Sequence, residues 1–476
     1  MNSFKYISDK PSIAWINNNL LSQRIDSSFY SPKYVINEEK LKNSGLSLSN
    51  LEHITAWVKK GIFDMPARLY SNERENHIPF IRISNIKDLE FDTTDLVYIP
   101  INSHKKEIKT ELVKGDIVIS KVGTIGNIGI INEELSPCNF SQNNIGIKMN
   151  GKIDSHYLAV YMLSKYCILQ LNRHSTIQVQ AKLNLSDIRD LIVPIPSPEI
   201  QKYIGDKVRR AEELREEAIT LQKDIDILLD VDMLLEETDR INNIFHSKVN
   251  WTNEINIVDR IDPNFYQKKY RTTIEKLGDN KVELGELVKI SKRRYQTGDI
   301  NKYIEISSIN NSFGTIDEVE ELRPEEIPTS AKHQVKEGDI LVSLVRPTRK
   351  AISIVTKEYD NAICTGGFAV LQSKGKVPVE FLTAVLRTNF AGIQFERYCT
   401  GSTYPTINEN DVVKIFIPQY SEKQINKITE KYRRIIESIY RSKKLIQEAK
   451  QDVEDLIEGN FEMSELNKDS GTESRC

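Results

Sequence analysis

Along the chain, short runs of apolar and β-branched residues alternate with turn-forming clusters. FIRIS (80–84), DIVIS (116–120) and IGII (128–131) have the alternating or continuous apolar texture of half-buried and buried strands. Gly115-Asp116 and Gly338-Asp339 stand directly before such runs, where a tight turn has to deliver the chain into a strand. SHYLAVYMLSKYCILQLNRH (155–174) and VPVEFLTAVLRTNFAGIQFERY (377–398) carry apolar residues at i, i+3, i+4 and i+7, and each predicts a core helix. After Pro198 the texture changes. Ile200, Ile204, Ala211, Leu214, Leu221, Ile225 and Leu228 recur every three or four residues, which predicts one long amphipathic helix. A second follows Ser421 along Ile425, Ile428, Tyr432, Ile435, Ile439, Ile446, Ala449, Val453 and Ile457. Each would run about 40 residues, or about 60 Å, with Ser197 and Ser421 as N-caps. Neither stripe can stay in water, so the two helices are expected to pair antiparallel as a coiled coil. The mixed order of short strands and helices predicts an α+β fold.

The whole pattern occurs twice. Residues 15–34, WINNNLLSQRIDSSFYSPKY, answer residues 251–270, WTNEINIVDRIDPNFYQKKY, in register. IPFIRISNI (78–86) answers NKYIEISSI (301–309), and VKGDIVISKVGTIGNIGII (113–131) answers VKEGDILVSLVRPTRKAISIV (335–355). HSTIQVQAKLNLSDIRDLIVPIPSPEIQ (174–201) answers CTGSTYPTINENDVVKIFIPQYSEKQ (399–424). The offset shortens from 236 to about 223 residues between the first two blocks, which places an insertion around residues 35–77. The expected organisation is two homologous α/β domains, 1–196 and 244–418, each followed by a long helix, 197–243 and 419–462, with a polar, disordered tail at 463–476.

Composition narrows the class. With 39% hydrophobic and 28% charged residues the chain is an ordinary globular protein, and at 476 residues it is too long for one core. No apolar run reaches the roughly 18 residues that span a bilayer. MNSFKYISDKPSIAW lacks a signal-peptide layout, so no membrane contact and a cytoplasmic location are expected. Cys138, Cys167, Cys364, Cys399 and Cys476 are scattered, without metal-ligand or disulfide spacing. The net charge of −3 is low for a nucleic-acid binder, but much of the acidic charge lies in the two long helices.

Catalytic signatures fail one by one. GIKMNGKI (146–153) matches the glycines and lysine of a phosphate-binding loop, but Ile153 stands where a hydroxyl must hold Mg2+. GTIGNIG (123–129) reads as a tight β-hairpin rather than a dinucleotide site. An Asp/Asn-Pro-Pro-aromatic tetrapeptide for amino-methyl transfer is absent, no convincing paired-carboxylate nuclease pattern is found, and His53 and His174-Ser175 have no nucleophile elbow. A large duplicated chain of this kind reads as a recognition protein, with no metal site.

The repeated RIDxxFYxxKY block, the GDI(L/V)(V/I)S run, a Ser-Thr loop, an I.IP.P..Q segment and a long helix, twice over, resemble the specificity subunit of type I restriction–modification enzymes. His174-Ser175-Thr176-Ile177 departs from the pattern that Gly401-Ser402-Thr403 follows. The resemblance implies a non-catalytic subunit whose two target-recognition domains each read half of a bipartite asymmetric site in double-stranded DNA. It also implies that the helices set the spacing and dock methyltransferase subunits, with a restriction/translocase subunit as a further partner. This chain then needs no cofactor, because S-adenosylmethionine, ATP and Mg2+ belong to the partners.

Arginine and lysine fork onto guanine, and Asn or Gln onto adenine, so polar and basic loops are the candidate DNA contacts. In the first half these are Lys59, Lys60, Arg68, Arg74, Lys121, Thr124, Gln178 and Gln180. In the second half they are Lys292, Arg293, Arg294, Tyr295, Arg346, Arg349, Lys350, Thr403 and Tyr404. Arg24, Asp26, Phe29, Tyr30 and Tyr34, with Arg260, Asp262, Phe265, Tyr266 and Tyr270, are assigned to the framework or to methyltransferase docking, with an Arg–Asp pair possible inside each block. The alternatives are a coiled-coil scaffold or DNA-mimic regulator, and a degenerate DNA-modifying enzyme.

Overall fold

The structure, a computed structural model of the chain, describes residues 26–93, 95–123, 125–174, 182–229, 260, 262–317, 319–401 and 403–462. It is mixed helix and sheet, α+β, and divides into two compact units: residues 1–212 with 442–476, and residues 213–441. The tail at 463–476 and the part of the expected central helix beyond Leu229 lie outside the described residues.

Unit 1 carries strands β1 (Ser47–Asn50), β2 (Trp57–Lys60), β3 (His77–Ile81), β4 (Ile86–Lys87), β5 (Glu90–Phe91) and β6 (Val97–Pro100). They are followed by β7 (Ile117–Ser120), β8 (Ile128–Ile130), β9 (Asn139–Phe140), β10 (Asn144–Lys148) and β11 (Ile192–Ile195). Its central sheet has the order β2-β10-β7-β8, a second sheet has the order β6-β3-β9, and β1 pairs with β11. Helices α1 (Pro32–Lys42), α2 (Leu51–Ile54), α3 (Ile101–Lys106), α4 (Ser155–Leu163), α5 (Lys165–His174) and α6 (Leu185–Arg189) lead to the long α7 (Pro198–Leu228).

Unit 2 carries β12 (Lys281–Glu283), β13 (Val288–Ile290), β14 (Asn301–Ile304), β15 (Glu320–Leu322) and β16 (Ala331–Gln334). The remaining strands are β17 (Ile340–Ser343), β18 (Ile352–Ile354), β19 (Ile363–Thr365), β20 (Phe368–Ser373) and β21 (Phe416–Pro418). Its central sheet has the order β13-β20-β17-β18, a second has the order β15-β14-β19-β16, and β12 pairs with β21. Its helices are α8 (Lys268–Glu275), α9 (Leu284–Leu287), α10 (Val379–Leu386), α11 (Asn389–Tyr398), α12 (Glu409–Val412) and the start of α13 (Glu422–Glu458).

Two expected helices are each broken in two. The run 155–174 stops at Ser164, whose hydroxyl donates to the Tyr161 carbonyl at 2.7 Å and accepts from the Cys167 amide at 3.5 Å. The run 377–398 stops at Thr388, which donates to the Val385 carbonyl at 2.7 Å and accepts from the Ala391 amide at 3.2 Å. In both, a hydroxyl takes over backbone partners, so one helix ends and the next is capped at the same residue.

The long helices bury the expected stripe except at Leu228 and Ile425, which are half-buried, while Leu229, Val208 and Ala218 join it. Within unit 2, Leu221 and Ile225 share a core with Ile428, Tyr432, Ile435 and Ile439. Lys431 pairs with Asp224 at 2.6 Å, and Arg434 pairs with Glu217, so the two segments run antiparallel there. Within unit 1, Lys207 pairs with Asp452 at 2.5 Å, and Tyr203 meets Phe461 with ring centroids 6.0 Å apart. Ser421 and Gln424 cap α13 reciprocally, the Ser421 amide donating to the Gln424 side chain at 3.1 Å.

The central strand of unit 1 passes under an aromatic ring. A Cβ on Gly146 would stand 2.4 Å from the ring of Phe140, which is fully buried. Gly146→Ala is therefore expected to destabilise unit 1 by about 1–3 kcal/mol through overpacking, seen as a lower urea midpoint by circular dichroism; an unchanged midpoint would show that the ring can move aside.

Candidate nucleic-acid interface

In both units the Gly-Asp turn feeds the central sheet as expected. Gly115 and Gly338 adopt φ of 85° and 81°, which a side chain would disfavour. The Asp116 and Asp339 carboxylates then accept the amides of Val113 at 2.7 Å and Lys336 at 2.8 Å, closing the turn. Each buried carboxylate also takes a cation: Lys148 at 2.9 Å from Asp116, and Arg293 on Asp339.

At the far end of the unit 1 sheet, β2 and β7 point the same way, because both run antiparallel to β10. Lys60 stands at the end of β2, in the same row of the sheet as Ile145 and Ile119, and Lys121 follows the end of β7. The segment around Lys182 lies alongside: Val122 and Lys182 form an antiparallel bridge, and the Leu183 amide donates to the Lys121 carbonyl at 3.1 Å. Burial pulls the Lys121 ammonium below its usual range, and the positive charges of Lys60 and Lys182 add to the effect. The Lys121 ammonium donates to the Gln142 carbonyl at 3.0 Å. A site that concentrates cations at some cost to its own protonation is suited to an anionic ligand.

The other candidates of unit 1 are dispersed. Lys59 turns back, its ammonium over the Trp57 ring at 4.7 Å and donating to the Lys109 carbonyl at 3.1 Å. Arg68 is exposed on a short 3-10 turn, and Arg74 is exposed with one guanidinium NH donating to the Glu134 carbonyl at 2.9 Å. Thr124, Gln178 and Gln180 lie outside the described residues.

Unit 2 separates its two basic loops. Arg293 and Arg294 run beside β16, where Arg294 bridges His333; Arg293 is committed to Asp339, Lys292 is exposed and Tyr295 is half-buried. Arg346, Arg349, Lys350, Thr403 and Tyr404 belong to a different place, the turn between β17 and β18 and the loop beside it. The Arg346 amide donates to the Pro405 carbonyl at 2.7 Å, and its guanidinium lies over the Tyr404 ring at 4.3 Å while donating to the Thr403 carbonyl at 3.1 Å. Arg346 and Lys350 take positive φ of 48° and 61°, a tight turn made without glycine. Burial, and then the charge of Arg387, lower the Lys350 ammonium below its usual range. Tyr404 and Arg349 are exposed.

The framework block packs inward. Arg173 stacks over Phe29 at 4.2 Å and donates to its carbonyl at 3.0 Å; Arg397 stacks over Phe265 at 4.1 Å and donates to its carbonyl at 3.2 Å. Tyr30 and Tyr270 are buried, Tyr34 is half-buried, and the Tyr266 hydroxyl donates to the Arg260 carbonyl at 2.5 Å. The Arg–Asp pair that the sequence allows inside the block does not form in unit 2. Arg260 reaches Asp411 at 2.7 Å, while Asp262 caps its own turn by accepting the Asn264 amide at 3.0 Å. Asp26 accepts the Ser28 hydroxyl at 3.3 Å, and Arg24 lies outside the described residues.

The segment resembling a phosphate loop is a strand: Gly146 sits in β10, opposite Lys59 and Val118. GTIGNIG turns the β7–β8 hairpin, as expected. Among the described residues, no group of three or more His, Cys, Asp or Glu is arranged to hold a metal, and no helix is long and apolar enough to cross a membrane. Lys182 has no local signal in the sequence, because it reaches Lys121 through the bridge to Val122 and the hydrogen bond from the Leu183 amide to the Lys121 carbonyl.

The family described as type I restriction modification DNA specificity domain matches residues 61–225. The type I restriction enzyme EcoBI specificity subunit of Escherichia coli is 30% identical over 171 residues, 36% of this chain and 33% of that protein. The StySPI specificity subunit of Salmonella potsdam is 31% identical over 143 residues, 28% of this chain and 29% of that one. The chain thus spans about a third of the length of the curated relatives it matches. Among solved structures, the S subunit of a type I restriction-modification system from M. genitalium aligns over 88% of this chain and 97% of that one, at 14% identity and a TM-score of 0.42. The stretch similar to the type I restriction modification DNA specificity domain, residues 61–225, includes β7 and β10 of the central sheet, Lys121 after β7, and the segment that brings Lys182 beside it.

Proposed function

We propose that this chain is the non-catalytic DNA sequence-specificity subunit of a type I restriction–modification complex. Each globular domain, 1–196 and 244–418, reads one half of a bipartite asymmetric site in duplex DNA. The long helices pair as an antiparallel coiled coil, set the gap between the half-sites and dock methyltransferase subunits. Methyl transfer and cleavage, with S-adenosylmethionine, ATP and Mg2+, belong to the partners, a restriction/translocase subunit among them.

The observation that carries this reading is the family match over 61–225, in the unit where Lys60, Lys121 and Lys182 gather at one end of a sheet. Its duplication is supported by the sequence blocks and by the two central sheet orders, β2-β10-β7-β8 and β13-β20-β17-β18. Arg173 on Phe29 and Arg397 on Phe265 support it further. Where the units differ, they differ in the turns: Gly123 and Gly126 shape the hairpin of unit 1, whereas Arg346 and Lys350 shape that of unit 2. Different turns on similar sheets suit two different base clusters, each wrong pair costing about 1–3 kcal/mol.

The test is selection from a random duplex library by the full chain, with and without a type I methyltransferase subunit. One bipartite sequence should be recovered, and adenine methylation should require the added subunit. Methyl transfer by this chain alone, or recovery of no sequence, contradicts the reading.

A further inference from the structure

One side chain in the unit 1 sheet-end region is built against the usual rule for its type. Phe63 is 82% exposed, although a phenylalanine gains about 1.5–3 kcal/mol from burial. The chain around it is firmly held. Ile62 is buried, bridges Ser141, and its amide donates to the Phe140 carbonyl at 2.9 Å. Gly61 passes so close to β9 that a Cβ there would lie 2.3 Å from the carbonyls of Phe140 and Ser141. Past the tip, Asp64 turns the chain with a φ of 52°, and Met65 packs back on the cluster of Ile62, Phe80, Val97 and Ile99. An anchored turn thus holds an aromatic ring out in solvent, three residues after Lys60 and at the end of the strand that brings Lys60 toward Lys121 and Lys182.

We infer that Phe63 inserts against a base step of duplex DNA in the half-site read by unit 1, while Lys60, Lys121 and Lys182 hold the neighbouring phosphates. Duplex DNA is the occupant that fits both parts. Apolar wedges of this kind part base steps in bent duplexes, and the clustered ammonium groups match the phosphates that flank such a step. A rigid turn suits the task, because the ring loses little conformational freedom on binding. The inference rests on the proposed function and goes further by naming the side chain and the distortion.

The experiment uses the full chain and the duplex recovered by selection, with 2-aminopurine placed in turn at each step of the unit 1 half-site. The expected result is a rise in 2-aminopurine fluorescence at one step on binding. Phe63→Ala should abolish that rise and weaken binding about tenfold, within the range of aromatic–base stacking, while Phe63→Trp retains both. Because the ring is exposed, the thermal melt of Phe63→Ala should match that of the wild type. A variant Phe63→Ala that binds within twofold of wild type, or a wild type that disturbs no step, overturns this inference and leaves the proposed function standing. Recovery of no duplex at all overturns both.

Discussion

Replacing Arg387 by methionine should lower the stability of unit 2 by about 3 kcal/mol, the largest effect expected of any single substitution outside the hydrophobic core. Its guanidinium is buried and donates to four main-chain carbonyls: Lys350 at 2.7 Å, Ile352 at 3.1 Å, and Asn311 and Ser312 at 2.8 Å each. Burial pulls its pKa below the usual value, yet arginine stays charged at any working pH. Methionine fills much of the volume and removes the cost of the buried charge, but leaves those carbonyls without donors at about 1–3 kcal/mol each. Gly314 belongs to the same arrangement, since a Cβ there would stand 2.6 Å from the Tyr432 hydroxyl and 2.8 Å from the Arg387 guanidinium. Urea denaturation followed by circular dichroism would show the lower midpoint; an unchanged midpoint would mean that water replaces the arginine. Because Lys350 is one of the carbonyl partners, the Arg346–Lys350 turn should also lose its shape.

The second large effect concerns binding. Replacing Lys60, Lys121 and Lys182 together by alanine should weaken binding to the selected duplex on the order of a hundredfold at 0.1 M salt and make the slope of log affinity against log salt shallower by about 2–3. The loss should be similar on other duplexes, because phosphate contacts carry no sequence information. A triple variant with the wild-type salt slope would place the DNA elsewhere on unit 1. Substitution of Lys59 alone should change little, since its ammonium is already turned onto Trp57 and Lys109.

The sequence made the strands, the Gly-Asp turns and the long helices legible because each depends on local pattern: period two, positive φ at glycine, and a stripe every three or four residues. Ser164 and Thr388 were missed as breaks because the apolar periodicity runs straight through them, and a hydroxyl that caps the next helix looks the same in sequence as one that faces solvent. Arg293 is a candidate DNA contact in the sequence, and its pairing with Asp339 has no local signal because that carboxylate is 46 residues away in the chain. Arg260 likewise finds Asp411 rather than its near neighbour Asp262. Phe63 and Lys182 carry no sequence signal at all. One is notable only for its exposure, the other for its bridge to Val122 and the hydrogen bond from the Leu183 amide to the Lys121 carbonyl. Side chains that act through tertiary placement were the illegible part of the site.

The central claim is that two units read two different clusters of bases. The most direct measurement is library selection with two variants of the full chain, one changed at Phe63, the other at Arg346 and Tyr404. The account predicts that the first variant relaxes the preferred bases of one cluster and the second relaxes those of the other, with the gap between clusters unchanged in both. Loss of preference in the same cluster from both variants, or a single undivided site, would contradict it.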